Sequence, residues 1–120
     1  MAGAPRQLGQ EWLVDASGCR LDALKDTRAL AGIFETLVVT LKLKVVGAPQ
    51  WHTFPGPGGI TGLALLSESH LGIHTFPEHG FAALSVYSCR TREAPDFERL
   101  MKSALGATHV SVRTIPREVA

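Results

Sequence analysis

The sequence predicts an α+β fold, a two-layer α/β sandwich with an antiparallel-rich sheet and two helices on one face, in the order βαβββαβ. Three observations carry that expectation. A strong amphipathic helical stripe lies in the first half of the chain, several short apolar runs separated by Gly/Pro breaks follow it, and a second helical pattern precedes a final alternating run. With 120 residues, 45% of them hydrophobic and 19% charged, the chain has the content of a single domain over 1–120 and not of a disordered segment.

Residues 11–15 form a short apolar stretch closed by Ala16-Ser17-Gly18, a strand and its turn. Leu30, Ile33, Phe34, Leu37 and Leu41 then recur at helical spacing on one face, with Asp26 or Thr27 as the N-cap. A strand is expected at 43–46, with Gly47-Ala48-Pro49 as its turn, resuming over 50–54. Pro55-Gly56-Pro57-Gly58-Gly59 is a loop. Strands over 60–67 and 81–89 flank a segment, 69–80, that is not a routine hairpin. Pro95 marks the first turn of a second helix carrying Phe97, Leu100, Met101, Ala104 and Leu105, and Gly106 is its C-cap. Val110 and Val112 alternate with polar residues in a last strand.

Twelve basic and eleven acidic residues leave a net charge of +1 with no like-charge run, which argues against a nucleic-acid or membrane-surface partner. The longest apolar runs fall far short of the roughly 20 residues that span a bilayer. Residues 1–6 lack the apolar stretch of a secretory signal, so a cytoplasmic location with two free thiols, Cys19 and Cys89, is expected. His70, His74 and His79 fall close together, but no cysteine or carboxylate completes a ligand set at metal spacing, so no metal is expected. No G-x-S-x-G elbow exists, and the Gly/Pro loop lacks the lysine and helix of a phosphate loop.

The distinctive segment runs from Gly59 to Glu78. It contains Glu68-Ser69-His70 and then Ile73-His74-Thr75-Phe76-Pro77-Glu78, and Cys89 closes the apolar run that starts at Gly80. Singly, Ser69 reads as a surface hydroxyl, His74 as a partly buried imidazole and Cys89 as a small hydrophobe. Jointly, with a histidine five residues and a cysteine twenty residues after the serine, they resemble the self-processing region of the prokaryotic S-adenosylmethionine decarboxylases, a family of pyruvoyl-dependent decarboxylases. The element order from Trp12 to about Val112 is similar to that family as well.

The resemblance implies cleavage between Glu68 and Ser69 into chains 1–68 and 69–120. The Ser69 hydroxyl attacks the preceding carbonyl, β-elimination follows, and residue 69 becomes a covalent pyruvoyl group. That ketone then takes up a substrate amine as a Schiff base and serves as the electron sink for decarboxylation. By the same resemblance His74 assists processing, Cys89 is the proton donor, Phe54 and Phe76 stack on adenine, and Glu78 accepts from the ribose hydroxyls. A strict strand puts residues 69 and 74 on opposite faces, so a bend at Gly72 is expected to bring them together.

The chain departs from the family pattern in places. Pro55-Gly56-Pro57-Gly58-Gly59 is one residue longer than the usual Glu-Pro-Tyr-Gly continuation, Phe76 replaces a tryptophan, and Thr61 replaces a serine. S-adenosylmethionine is the expected substrate, for polyamine (spermidine) synthesis; alternatives are the same chemistry on arginine or ornithine, and a non-processing regulatory paralogue. The resemblance also implies a homodimer of cleaved protomers with substrate sites at or near the interface. Neither piece could bury an adequate core alone, so folding must precede cleavage.

Overall fold

The apolar stripe of Leu30, Ile33, Phe34 and Leu37 winds into a helix over Thr27–Thr40 in the computed structural model, which describes residues 6–120. Residues 1–5, most of the segment read for a secretory signal, lie outside that range. A short helical turn, α1 (Leu21–Leu24), precedes this helix, α2. Asp26 is its N-cap: the carboxylate accepts from the Arg28 backbone N–H at 2.9 Å, satisfying a donor that the first turn leaves free. The other long helix, α3 (Phe97–Leu105), is capped by Asp96, whose side chain accepts from the Arg99 N–H at 3.0 Å, and it ends at Gly106 with a φ of 67°. Pro95 therefore stands just before the helix and not in its first turn, because Asp96 holds the entry position.

Among the described residues six strands form one antiparallel sheet: β1 (Arg6–Ser17), β2 (Gln50–Thr53), β3 (Ile60–Leu65), β4 (Ser69–Phe76), β5 (Phe81–Ser88) and β6 (His109–Val119). Their spatial order is β2-β3-β4-β5-β1-β6. The expected α+β class holds, with the helices on one face of the sheet. The segment left open between 69 and 80 is resolved as β4, paired with β3 on one side and β5 on the other, and a 3-10 turn over Pro77–His79. The strand expected at 43–46 does not form, and only Val45 bridges to Leu66. Lys42 takes a φ of 54° directly after α2 and Gly47 one of 73°, so the chain turns at both ends of this stretch and no ladder extends.

Strand alternation sends Trp12, Val14, Leu71, Ile73, Leu84 and Val86 into the core against α2 and α3, all of them buried. Trp12 meets Phe97 of α3 with ring centroids 5.6 Å apart, and Phe34 of α2 stacks on Trp51 of β2 at 5.2 Å. Burial of each large aliphatic side chain here contributes about 1.5–3 kcal/mol. Gly62 of β3 lies under Trp51, where an added Cβ would stand 2.1 Å from the indole ring. Among the described residues the opposite face of the sheet carries no second layer, and it exposes Leu63, Leu65 and Phe76. Among the described residues no helix is long and apolar enough to cross a membrane.

Candidate active site

Ser69 opens β4 and points toward the helices. It is 8% exposed, and its Oγ is buried without a hydrogen-bond partner. Leaving such a hydroxyl unpaired costs about 1–3 kcal/mol, a cost more in keeping with a reactive group than with a packing residue. The peptide bond ahead of it is held on both sides: the Cys89 N–H donates to the Glu68 carbonyl at 3.1 Å, and the Leu66 N–H donates to the Ser69 carbonyl at 3.1 Å. The Glu68 carboxylate pairs with the Arg90 guanidinium at 2.7 Å. A cavity of about 360 Å³ opens on this bond, with Lys42, Lys44, Arg90 and Arg92 in its lining. Arg92 is anchored by Ser88 Oγ at 3.2 Å and by the Leu41 carbonyl.

A second cluster occupies the other end of β4. His74 is on the uncovered face and pairs in register with Thr61 of β3, whose Oγ1 lies 3.1 Å from His74 Nδ1. That contact orients the ring and leaves Nε2 available for proton transfer. Phe54, Phe76, Glu78, Thr61 and His74 line a cavity of about 330 Å³ rimmed by Pro55 and Pro57. Phe54 is 50% exposed and Phe76 40%, so both rings offer free faces. The longer Pro/Gly loop does not carry Phe54 away, because the Phe54 N–H donates back to the Gly59 carbonyl at 2.8 Å and closes the loop on itself. His52 meets the Phe54 ring edge-on at 4.7 Å.

The expected bend at Gly72 is absent. β4 pairs without a register shift from Leu65↔His70 to Thr61↔His74 on one side, and from Ser69↔Ser88 to Phe76↔Phe81 on the other. Ladders on both edges hold the strand straight, and residues 69, 71, 73 and 75 are buried while 70, 74 and 76 are exposed. Ser69 and His74 consequently point away from each other. At about 3.3 Å of rise per residue they are about 17 Å apart along the strand. Glu68, Ser69 and the backbone of Cys89 form one cluster, and Phe54, His74, Phe76 and Glu78 form another.

Two features escaped sequence reading. Arg90 pairs with Glu68 from 22 positions away, and nothing local signals a partner across two strands. Thr61 orients His74 through a register that only the assembled sheet defines. The remaining cysteine, Cys19, is free and half-buried beside Gly80, and burial pushes its thiol above the usual range.

The family model described as S-adenosylmethionine decarboxylase matches residues 10–118. The chain is 35% identical over 111 residues to the S-adenosylmethionine decarboxylase proenzyme 2 of Halalkalibacterium halodurans, covering 92% of this chain and 86% of that one. It is 42% identical over 94 residues to the S-adenosylmethionine decarboxylase proenzyme of Methanococcus maripaludis, covering 75% and 72%. The crystal structure of the adenosylmethionine decarboxylase from Aquifex aeolicus superposes with a TM-score of 0.75 at 26% identity, over 96% of this chain and 94% of that one. Fold and motif thus define a pyruvoyl-type decarboxylase scaffold. The chain belongs to the S-adenosylmethionine decarboxylase family, in its prokaryotic proenzyme form.

Proposed function

We propose that this chain is the self-processing precursor of a pyruvoyl-dependent decarboxylase acting on S-adenosylmethionine, whose product serves polyamine (spermidine) synthesis. The observation that carries the reading is the buried, unpartnered Ser69 Oγ beside a Glu68 carbonyl that already accepts from the Cys89 N–H. Attack of Oγ on that carbonyl converts the Glu68–Ser69 amide into an ester. The Cys89 N–H stands where negative charge develops on the Glu68 oxygen. Removal of the Ser69 Cα proton then breaks the Cβ–Oγ bond, expels the new main-chain carboxylate of residue 68 with that oxygen, and leaves dehydroalanine. Tautomerisation and uptake of water release ammonia and leave a ketone at position 69. His74, oriented by Thr61 and supplied by a second copy of the chain, is the base suited to removing the Cα proton.

The site suits a pyruvoyl group made in place, since Ser69 supplies its three carbons, its own Oγ leaves with the new carboxylate of residue 68, and water supplies the ketone oxygen. Once formed, that group supplies a carbonyl that captures the substrate amine and accepts the electron pair freed with carbon dioxide. The Cys89 thiol is the group that returns a proton to the substrate carbon. Phe54 and Phe76 offer aromatic faces for adenine in the second cavity, and Glu78 accepts from the ribose hydroxyls.

The separation of the two clusters is the argument for a homodimer. A substrate cannot reach residue 69 and the Phe54–Phe76–Glu78 cavity together across about 17 Å of one strand. In a twofold dimer packed through the uncovered sheet face, the backbone of residue 69, whose side chain points the other way, meets the His74 end of the other β4, and the match occurs twice. The half-exposed Leu63 and Leu65 beside that end supply apolar surface for the contact. A cytoplasmic setting, in which both cysteines stay reduced, is part of the reading.

Denaturing mass spectrometry tests the processing step. The wild-type chain is expected as pieces 1–68 and 69–120, the second with a blocked N-terminus, and Ser69→Ala as one intact chain. A wild-type chain that stays whole on prolonged incubation would point instead to a non-processing regulatory paralogue. Labelled carbon dioxide release from S-adenosylmethionine, arginine and ornithine in parallel tests the substrate, and release from arginine or ornithine alone overturns the assignment.

A further inference from the structure

Tyr87 is the single tyrosine of the chain. It lies in β5, where alternation directs its side chain to the uncovered face, and the exposed Cys89 follows one residue past the end of the strand. Neighbours on two strands fix its place. His70 of β4 is its register partner, and the two rings stack with centroids 5.5 Å apart and planes 13° from parallel. On the β1 side, Gly9 clears the space: a Cβ there would stand 3.2 Å from the Tyr87 hydroxyl and 3.4 Å from the Cys89 Cα. The hydroxyl and Cys89 therefore border one small hollow that exists because residue 9 has no side chain. Gly9 also sits where the β1–β6 register shifts, one residue before the β1–β5 ladder begins at Gln10.

The electrostatics agree with the geometry. The Cys89 thiol holds the Tyr87 hydroxyl above its ordinary ionisation range, through a side-chain hydrogen bond first and through charge second. The other ionisable groups facing Tyr87 are His70, which stacks on it, and the ion pair of Glu11 and Arg117, joined at 2.7 Å. Glu11 raises and Arg117 lowers the hydroxyl, so these two act against each other.

We propose that Tyr87 is a positioning residue for Cys89: its hydroxyl donates a hydrogen bond to Sγ and, with its ring held by His70, selects the direction in which the thiol presents its proton. The inference rests on the reading of Cys89 as proton donor. Cys89 lies beyond the last residue of β5 and is exposed, so packing does not choose among its staggered rotamers. A proton donor that must reach one carbon needs such a choice, and the Tyr87 hydroxyl is the group placed to make it.

Because Tyr87 is the only tyrosine, phenolate absorbance titrates it alone. Cys89→Ala is expected to lower the pH at which Tyr87 ionises, and an unchanged titration overturns the contact. Conversely, Tyr87→Phe keeps the ring stacked on His70 and removes only the oxygen. It is expected to change the rate of alkylation of Cys89 by iodoacetamide about threefold, through loss of the contact that fixes the direction of Sγ, with Cys19 unchanged as internal reference. This is read by peptide mass in the natural chain and again in Ser69→Ala. An unchanged Cys89 rate, or an equal change at Cys19, overturns the proposal. In the processed enzyme Tyr87→Phe lowers kcat severalfold at constant KM, and a raised KM at constant kcat would count against it. Titration and alkylation need no turnover, so failure of the decarboxylase reading and failure of this contact give different results.

Discussion

Ser69 and His74 stand on opposite faces of β4, five residues apart on a strand that pairs without interruption along both edges. Each borders its own cavity, Ser69 the cationic one and His74 the aromatic one. A proton cannot pass between their side chains within one copy. If the two act together, they come from two copies.

Co-expression tests this directly. Ser69→Ala alone is expected to stay uncut, and His74→Ala alone to be cut slowly. In a mixed dimer the His74→Ala copy keeps its serine and receives an intact histidine from its neighbour. Its cleavage, followed by denaturing mass spectrometry of tagged chains, should accelerate at least severalfold over His74→Ala alone. Equal cleavage with and without the Ser69→Ala copy would return both roles to one chain.

Arg90→Ala separates processing from stability. Its ion pair with Glu68 is short but largely exposed on both sides, so its loss should cost under about 1 kcal/mol in denaturant unfolding. The same change frees the side chain next to the bond proposed for cleavage, and cleavage should slow severalfold. Unaltered cleavage kinetics would remove Arg90 from the processing machinery.

Gly62→Ala probes the other edge of the sheet. The new methyl would sit 2.1 Å from the Trp51 ring, which is itself stacked on Phe34, so the indole must move. Destabilisation of about 1–3 kcal/mol is expected from overpacking, measured by the urea midpoint. A midpoint equal to wild type would mean that Trp51 repacks without cost.

Alkaline stability follows from the raised thiol of Cys19, through burial, and the raised hydroxyl of Tyr87, through Cys89. Both groups keep their protons to higher pH in the folded chain than in the unfolded one. The unfolded chain therefore binds fewer protons once the pH passes its own thiol range, and stability falls as pH rises further. The unfolding midpoint should be steady up to about pH 8.5 and decline above it, with a shallower decline in Cys19→Ala. A midpoint that climbs with alkaline pH would contradict the assignment.

Much of the site was legible residue by residue. Glu68, Ser69, His74, Phe76 and Glu78 lie within eleven consecutive positions, so a local pattern suffices to find them. The α2 stripe was legible for a related reason, since a helix writes its buried face into the spacing of neighbouring residues. Residues 43–46 were misread because their apolar run looks like a strand, while the turn imposed by Lys42 after α2 is a conformational fact that composition does not carry. Segment 69–76 was hard to read because polar residues on its uncovered face and a glycine interrupt the apolar run.

The sequence by itself determined the class of fold, the family and the residues proposed to react, because these depend on residue type and short spacing. The tertiary structure alone decided which of those groups share a cavity. It set Arg90 against Glu68 and the Cys89 N–H on the Glu68 carbonyl, gathered Phe54 with Phe76 and Glu78, and kept His74 away from Ser69. The physical reason is strand register: a shift of one residue turns every side chain to the other face. Register is fixed by pairing between segments far apart in the chain, so no local reading of 69–74 could show that a straight, doubly paired β4 would hold its two principal residues apart.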